Sequence, residues 1–451
     1  MSWSFERRLL VAAAAVWIAI AIATLALAAP LGHDEAALAM SARGDAPADW
    51  LYRSRGLVAL ARLGLLAGGA EWQLRLPIAV LDTGVVIAVF AVARAVFGAT
   101  TGAWAAAVVA GAHWMVLRSA ELLGDLPAAA CTLAALALVV TELDRDGGPR
   151  WRLVLAAPLL AAAFYVRYGT LPVIAVAGGA APILWWRSIL RRPGPALAAI
   201  AVFAALLIPH VLDSLASTGR ALGILEISRA TPRRAYLGEG LVTYLTSNPF
   251  RYYGVLVAPV ALAGLLGVVR ARRRAAWYLW LVAVGQIVAL GLQSHGQPRY
   301  VFIATALLVV LGVDAVRAAV PAARAALLRR AALVLVAVAW VVAAIAVVPL
   351  YRVLIEARAP MVMAAETVRR DAAGGRCIVA SRAATQLAWY TGCAPVNLGE
   401  EAAFDPWPLD RRQYIVGLPG TSIDIAAVAA TQRAIPVELP ASTARVWRLA
   451  Y

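Results

Sequence analysis

Three consecutive polar residues, His33, Asp34 and Glu35, follow the first long apolar run of the sequence. Carboxylates are costly beside a hydrocarbon interior unless water, a partner or a function accommodates them. Asp34 or Glu35 could cap the helix that follows, since acidic residues are favoured at a helix N-terminus. Either could also accept a proton from an acceptor hydroxyl, as a general base does. Because a cap also holds a carboxylate in place, the two roles are compatible.

A second polar group, Arg118, Glu121 and Asp125, lies between two later apolar runs. On a helix Glu121 and Asp125 would share one face, because they are four residues apart. One interpretation is a solvated turn in which Arg118 offsets the two acids. The other is that an acid orients a substrate or joins Asp34 in holding a divalent metal ion, which needs several oxygen ligands. The sequence leaves metal dependence open, because no ligand spacing of a known metal site is present.

Two further arginines interrupt the apolar pattern. Arg167 separates two short apolar runs, and the stretch QSHGQPRYVF places His295, Arg299 and Tyr300 at the start of another. An arginine in the first turn of a helix opposes the helix dipole, so an anion is the expected partner of Arg299. For both arginines, an anchor at the membrane interface is the alternative interpretation.

The elements that must position these residues are mainly membrane-spanning helices. Of the 451 residues 63% are hydrophobic, compared with about half in a soluble domain. Many apolar runs approach the roughly 20 residues that cross a bilayer, so the chain is predicted to be a mainly α, polytopic membrane protein with about eleven transmembrane helices. The predicted spans lie near 9–29, 76–97, 101–117, 124–141, 153–167, 169–186, 196–212, 252–269, 277–293, 300–316 and 331–350.

The arginines also predict an orientation. All 41 basic residues are Arg, the net charge is +16, and Arg-rich blocks occupy alternate connectors. The positive-inside rule assigns these connectors to the cytoplasm, with the N-terminus inside and the C-terminus outside. Arginines of the outer loops could meet phosphates of lipids or of a substrate; these are Arg43, Arg53, Arg55, Arg229, Arg233 and Arg234. For the first span, a signal peptide ending at ALAAP is the alternative.

The residues after the last span differ in character. The short runs CIVAS, APVNL, QYIVG and IPVEL resemble strands and alternate with helix-like pieces, which predicts a small extracytoplasmic α/β domain. The predicted domains are 1–350, with extracytoplasmic loops 30–75 and 213–251, and 351–451. On an oxidising side of the membrane Cys377 and Cys393 could form a disulfide, and two free cysteines are the alternative.

The order of these motifs resembles that of the GT-C superfamily of membrane glycosyltransferases, specifically the protein O-mannosyltransferase and aminoarabinose-transferase group. The pair Asp34-Glu35 after the first span is similar to the family's acidic pair. RLPIAVLDTGVVIAVFAVARAVFG resembles the second-span segment, WMVLRSAELLGDLPAA a segment with a further acid, and PRY the motif before a late span. The resemblance covers roughly residues 1–320.

The resemblance implies a hexosyl- or pentosyltransferase of the plasma membrane. Such an enzyme takes sugar from a polyprenyl-phosphate donor at the extracytoplasmic face and transfers it to a lipid, glycan or protein hydroxyl. It implies catalysis by Asp34, with Glu35 beside it, and donor-phosphate binding by Arg299, with Arg167 and Arg118 as further candidates. The predicted substrate-binding residues are His33, which is not a standard family position, Glu121, Asp125, His295 and Tyr300. No cofactor beyond the divalent metal ion considered above is expected.

Three other functions stay open at this point. A transporter or flippase of lipid-linked saccharide would place charges near the bilayer midplane, often in repeated halves. A cell-surface polysaccharide polymerase or ligase would differ mainly in its acceptor, and a non-catalytic scaffold would use the acidic pair only as a cap. The basic charge does not indicate nucleic acid, because its arginines lie between apolar runs, where membrane orientation explains them.

Overall fold

The computed structural model is mostly helical, with one small sheet near the C-terminus. The residues that it describes are 4–45, 53–144, 150–230, 235–246, 253–254, 256–270, 273–398, 411–419, 429, 434–439 and 443–449.

Helices occupy most of the first 320 residues, as the apolar runs predict. In the first part they are α1 (Phe5–Ala26), α2 (His33–Arg43), α3 (Arg55–Leu66), α4 (Glu71–Asp82), α5 (Gly84–Phe97), α6 (Ala99–Ala110), α7 (His113–Leu117), α8 (Asp125–Leu143) and α9 (Ala156–Val166). They continue as α10 (Leu171–Arg191), α11 (Gly194–Thr218), α12 (Gly223–Ala230), α13 (Glu239–Thr246), α14 (Val257–Gly267), α15 (Arg274–Gln293), α16 (Phe302–Ala319) and α17 (Ala325–Ala372).

All eleven predicted spans fall on helical segments of the described chain. Eight helical stretches are long and apolar enough to cross a membrane, and a pair bent by 65°, Ala99–Ala110 with His113–Ala120, makes a ninth. The shorter apolar helices Trp151–Val166 and Val257–Gly267 correspond to the remaining two predictions. A multi-pass helical membrane fold is therefore confirmed, whereas the number of crossings and their sidedness stay predictions.

Small residues let some of these helices pack backbone against backbone. A Cβ atom on Gly312 of α16 would lie 1.8 Å from the carbonyl oxygen of Val260, and one on Gly264 of α14 would lie 2.0 Å from that of Leu308. Neither position has room for a side chain, so α14 and α16 approach as closely as helices with small interface residues do in membranes.

The predicted C-terminal α/β domain is confirmed. Its strands are β1 (Cys377–Ser381), β2 (Ala394–Asn397), β3 (Arg412–Gly417), β4 (Ala434–Val437) and β5 (Arg445–Leu449), and helix α18 (Ala384–Thr391) joins β1 to β2. The sheet order is β2-β1-β3-β5-β4. Strand β1 is parallel to β2 and β3, whereas β5 is antiparallel to β3 and β4. A disulfide joins Cys377 and Cys393, which lie before and after α18 in the chain.

Helix α17 connects the two parts of the molecule. It is one helix of 48 residues, so the boundary predicted at residue 351 lies inside it. Its C-terminal part packs into the same hydrophobic cluster as β1, β3 and α18, through Met361, Ala364, Ala365 and Val368.

Candidate active site

The acidic pair opens helix α2. Gly32 is the N-cap, and the side chain of Glu35 reaches back to accept a hydrogen bond of 2.8 Å from its backbone N–H. Because glycine has no side chain, only this half of a capping box forms, and it holds the first turn of the helix. Asp34 and Glu35 are adjacent on that turn and have different surroundings.

Glu35 is buried in a closed set of hydrogen bonds. Its two carboxylate oxygens accept from Nε and Nη2 of Arg75 at 2.7 and 2.9 Å, and Oε1 also accepts from the backbone N–H of Leu122 at 3.0 Å. The exposed fractions of Glu35 and Arg75 are 6% and 2%. Burial opposes the charge of Glu35, but Arg75 outweighs it and lowers the pKa of Glu35 to about 2.

These contacts change the interpretation of Glu35. The sequence predicts a second catalytic acid, but every hydrogen bond of this carboxylate goes to protein, and the side chain does not line the cavity described below. Arg75 also donates to the carbonyl oxygen of Ala29 at 2.7 Å. The Glu35–Arg75 pair therefore joins α4 both to the residues before α2 and to the first turn of α2. These contacts favour a positioning role for Glu35, and its catalytic role stays a prediction.

Asp34 has one arginine on each carboxylate oxygen. Nη1 of Arg53 donates to Oδ1 at 3.0 Å, and Nη2 of Arg299 donates to Oδ2 at 3.2 Å. The carboxylate side chain remains 38% exposed. Burial opposes its ionisation, but the two arginines outweigh that effect and lower the pKa of Asp34 to about 2. Asp34 is therefore a charged oxygen acceptor that is open to a ligand.

Asp34 lines a cavity of about 1170 Å³. Polar side chains reach it from α2, from the residues before α3 and from the turn before α16; they include Asp34, Arg53, Arg167, His295, Arg299 and Tyr300. Apolar side chains come from the first turns of α10 and the last turns of α15; they include Leu171, Pro172, Val176, Ala289 and Leu290. The cavity therefore combines a cationic surface with a hydrophobic wall built from predicted membrane helices.

Arg167 reaches the cavity because the backbone breaks there. Helix α9 ends at Val166, and Arg167 is extended with φ −153° and ψ 108°. Its guanidinium forms an ion pair with Asp125 and lies 4.7 Å from the ring centre of Tyr300. Arg299 lies 5.7 Å from the same ring. Tyr300 thus stands between two cations that line the cavity.

Other predicted site residues lie away from the cavity lining. Arg118 donates to Glu121 at 2.6 Å in the turn whose Leu122 N–H binds Glu35, and neither residue of the pair lines the cavity. Burial raises the pKa of Glu121 despite the opposing effect of Arg118. Asp125 is paired with Arg167, and its charge also acts on Arg299. His33 is exposed outside the lining. Phosphate binding by Arg118 and substrate contact by His33, Glu121 and Asp125 therefore stay predictions.

The outer-loop arginines separate into different groups. Arg53 and Arg229 line the cavity, Arg55 forms an ion pair with Asp213, and Arg43 stacks on Trp389. Arg233 and Arg234 lie outside the described residues. Sequence reasoning included Arg53 only as one of six outer arginines, and it missed Arg75 as the partner of Glu35, although Arg75 opens the RLP motif.

A divalent metal ion would need several converging side-chain ligands. Within the ranges that the structure describes, no group of three or more His, Cys, Asp or Glu side chains is arranged to hold a metal ion. Asp34 is accompanied there by arginines rather than by other carboxylates.

Comparison with known proteins agrees with the architecture. Residues 58–212 match the family model described as dolichyl-phosphate-mannose-protein mannosyltransferase. No curated protein matches the sequence at a significant level.

Solved structures match over nearly the whole chain. ArnT from Cupriavidus metallidurans bound to undecaprenyl phosphate is similar with a TM-score of 0.73 and 16% identity, covering 98% of both chains. Its apo state is similar with a TM-score of 0.73 and 15% identity, covering 99% of both. The apo Archaeoglobus fulgidus oligosaccharyltransferase has a TM-score of 0.59 and 13% identity, and the match covers 92% of this chain and 69% of that one. Residues 58–212 therefore match the dolichyl-phosphate-mannose-protein mannosyltransferase family model, and the multi-pass membrane chain has the fold of the ArnT structures.

Proposed function

We propose that this protein is an extracytoplasmic glycosyltransferase of the plasma membrane. It moves a sugar from a polyprenyl-phosphate donor to an acceptor hydroxyl, with inversion at the anomeric carbon. The observation that carries the proposal is the partly exposed Asp34 carboxylate, held by two arginines in a cavity that has both cationic and hydrophobic walls.

The two kinds of wall fit the two parts of such a donor. A phosphodiester needs cationic hydrogen-bond donors, which Arg53, Arg299 and Arg167 provide. A prenyl chain needs apolar contact, which α10 and α15 provide through Leu171, Val176 and Leu290. The similar ArnT from Cupriavidus metallidurans has been solved with undecaprenyl phosphate, which supports this class of donor.

The chemistry is a single displacement. The acceptor oxygen attacks the anomeric carbon, the bond from that carbon to the phosphate oxygen breaks, and polyprenyl phosphate leaves. Asp34 takes the proton of the acceptor hydroxyl as general base. Arg299, with Arg53 and Arg167, stabilises the charge that develops on the leaving phosphate. Attack from the face opposite the phosphate inverts the anomeric centre.

Donor binding would also make Asp34 a better base. Without donor, the charge of Asp34 is neutralised by Arg53 and Arg299, and a carboxylate stabilised in this way accepts a proton poorly. A donor phosphate competes for the same guanidinium groups. As they turn to the phosphate, the pKa of Asp34 rises at the moment when a base is needed.

The proposal is tested with purified protein and a panel of polyprenyl monophosphates, each carrying one labelled hexose or pentose. Acceptors are envelope lipid, polysaccharide and protein fractions. We expect one donor to give labelled acceptor together with free polyprenyl phosphate in equal amounts. Absence of both products for every donor would overturn the proposal.

The same assay separates the alternatives. A flippase reconstituted in vesicles would move labelled donor between leaflets without forming a glycosidic bond. A polymerase or ligase would label polysaccharide in successive steps. A chelator added to the active reaction tests metal dependence, which the sequence leaves open: loss of transfer and its recovery with a divalent cation would establish a metal requirement.

A further inference from the structure

Tyr390 of the C-terminal domain contacts the segment that carries Asp34. Its hydroxyl oxygen accepts a hydrogen bond of 2.8 Å from the backbone N–H of Leu31 and donates one of 3.1 Å to Oε1 of Glu71. Leu31 is fully buried and lies two residues before α2. Tyr390 is 359 residues distant from Leu31 in the chain, so this contact joins the two ends of the protein.

The two hydrogen-bond partners of Tyr390 each lie close in the chain to one member of the Glu35–Arg75 pair. Leu31 precedes Gly32, whose N–H binds Glu35. Glu71 begins α4 and lies one turn before Arg75. The hydroxyl of Tyr390 therefore closes a ring of contacts that runs from Leu31 through Glu35 and Arg75 to Glu71, and Asp34 is the neighbour of Glu35 on that ring.

Further contacts hold helix α18 along α2. The guanidinium of Arg43, at the C-terminal end of α2, lies 4.5 Å from the ring centre of Trp389. Met40 of α2 packs in one hydrophobic cluster with Leu387 and Ala388 of α18. Contacts at both ends of α2 fix its direction as well as its distance from the domain.

The domain itself restrains α18. Cys393, two residues after the helix, is bonded to Cys377 at the start of β1. Leu387 and Ala388 are fully buried. The position of Tyr390 is therefore tied to the sheet rather than to a free loop.

We propose that Tyr390 is a positioning residue for catalysis: its hydroxyl lets the C-terminal domain set the place of Asp34 through the Leu31 and Glu71 contacts. This inference rests on the proposed function of the same site. Tyr390 does not line the cavity, so its effect falls on the placement of the base and not on donor binding.

The central test replaces only the hydroxyl. In Tyr390→Phe we expect kcat to fall about tenfold, because small misplacements of a reacting group cost one to two orders of magnitude, while KM for the donor stays unchanged. The matched control is Tyr414→Phe, which removes a hydroxyl from the same domain, one that donates to Asp371 at 2.7 Å away from α2. The control should keep the wild-type kcat.

A second pair of variants tests the bridge itself. Glu71→Gln keeps a side-chain oxygen that accepts from Tyr390, so it should keep the wild-type kcat. Glu71→Ala removes the acceptor and should lower kcat as Tyr390→Phe does. If Glu71 had a purely structural role, its substitution would lower the amount of folded protein. The kcat of the folded protein would then not differ between Glu71→Gln and Glu71→Ala.

Three results would overturn the inference: an unchanged kcat in Tyr390→Phe, an equal loss in Tyr414→Phe, or a rise in donor KM that accounts for the whole loss. Hydrogen exchange of the peptide that contains Leu31 provides a readout without turnover. It should accelerate in Tyr390→Phe at an unchanged melting temperature, and unchanged exchange would contradict the coupling. If the wild-type protein transfers no sugar, the proposed function fails, while the exchange experiment still tests the contact.

Discussion

At the scale of single residues, the carboxylate of Asp34 is accessible to a ligand, whereas the carboxylate of its neighbour Glu35 is buried. We expect Asp34→Asn to lower kcat by about 10²–10⁴, because an amide does not accept the proton that a general base takes. Transfer by the folded variant is measured at saturating donor. Asp213→Asn is the control, since Asp213 also pairs with an arginine, Arg55, but does not line the cavity. Unchanged transfer in Asp34→Asn would remove the catalytic assignment.

The pH dependence follows from the arginines around Asp34. In the free protein they outweigh burial and keep the pKa of Asp34 at about 2, so Asp34 stays charged until the pH falls to that region. Because donor phosphate draws the arginines away, the pKa in the complex is higher. We expect the acid limb of kcat to lie at higher pH than that of kcat/KM, which reports the free enzyme. Rates at saturating and limiting donor measure both limbs, and the reverse order would contradict the exchange of partners.

Arg299 is a predicted phosphate-binding arginine that lines the cavity and also contacts Asp34. We expect Arg299→Ala to raise the Kd for polyprenyl phosphate about tenfold or more, since a hydrogen bond to a charged group contributes about 1.5–3 kcal/mol. Binding is measured directly with labelled lipid in detergent. Arg448→Ala is the control, because Arg448 pairs with Asp371 and neither residue lines the cavity. Equal affinities of the two variants would reduce Arg299 to an interfacial anchor.

The residues found from the sequence are those with a local signal. Asp34 and Arg299 interrupt apolar runs at helix starts, where an uncompensated charge is conspicuous. The burial and pairing of Glu35 could not be predicted, because its partner Arg75 lies 40 residues away in the chain. Arg53 gave no local signal, since its partner Asp34 lies 19 residues away in the chain.

At the scale of elements, the Glu35–Arg75 pair fixes α2 against α4. We expect Arg75→Leu to lower the free energy of unfolding by about 3 kcal/mol or more, because it leaves a buried carboxylate without its partner. Thermal unfolding in detergent measures this loss. In the double variant Glu35→Gln, Arg75→Leu the buried charge is gone, so part of the stability should return. A double variant no more stable than Arg75→Leu alone would contradict the account of the pair.

Apolar length predicts the helices well and their ends less well. The four predicted strand runs appear as β1 to β4, but β5, with the sequence RVWRL, has two arginines among its five residues and was missed. Helix α17 continues beyond its apolar part, because residues such as Met361 and Val368 pack against the sheet domain. Tertiary contacts of this kind are not visible in local hydropathy.

At the scale of the whole molecule, the orientation rests on arginine distribution alone. We expect the cavity and the C-terminal domain outside the cell and the connector near Arg187 inside. In a Cys131→Ala background, a membrane-impermeant maleimide should label Arg445→Cys in intact spheroplasts and Arg187→Cys only in inside-out vesicles; both positions are exposed. The opposite labelling pattern would invert the topology and move the proposed reaction to the cytoplasmic face.

Helix α17 adds a mechanical property to this arrangement. Its 48 residues correspond to a rod of about 72 Å at 1.5 Å per residue, more than twice the roughly 30 Å hydrocarbon thickness. About two thirds of the way along it, Arg358 donates to the carbonyl oxygen of Pro30, just before α2. Acyl chains of different length change the tilt of a spanning helix, and a tilt of α17 would displace this contact. Turnover should therefore vary with the chain length of the surrounding phospholipids.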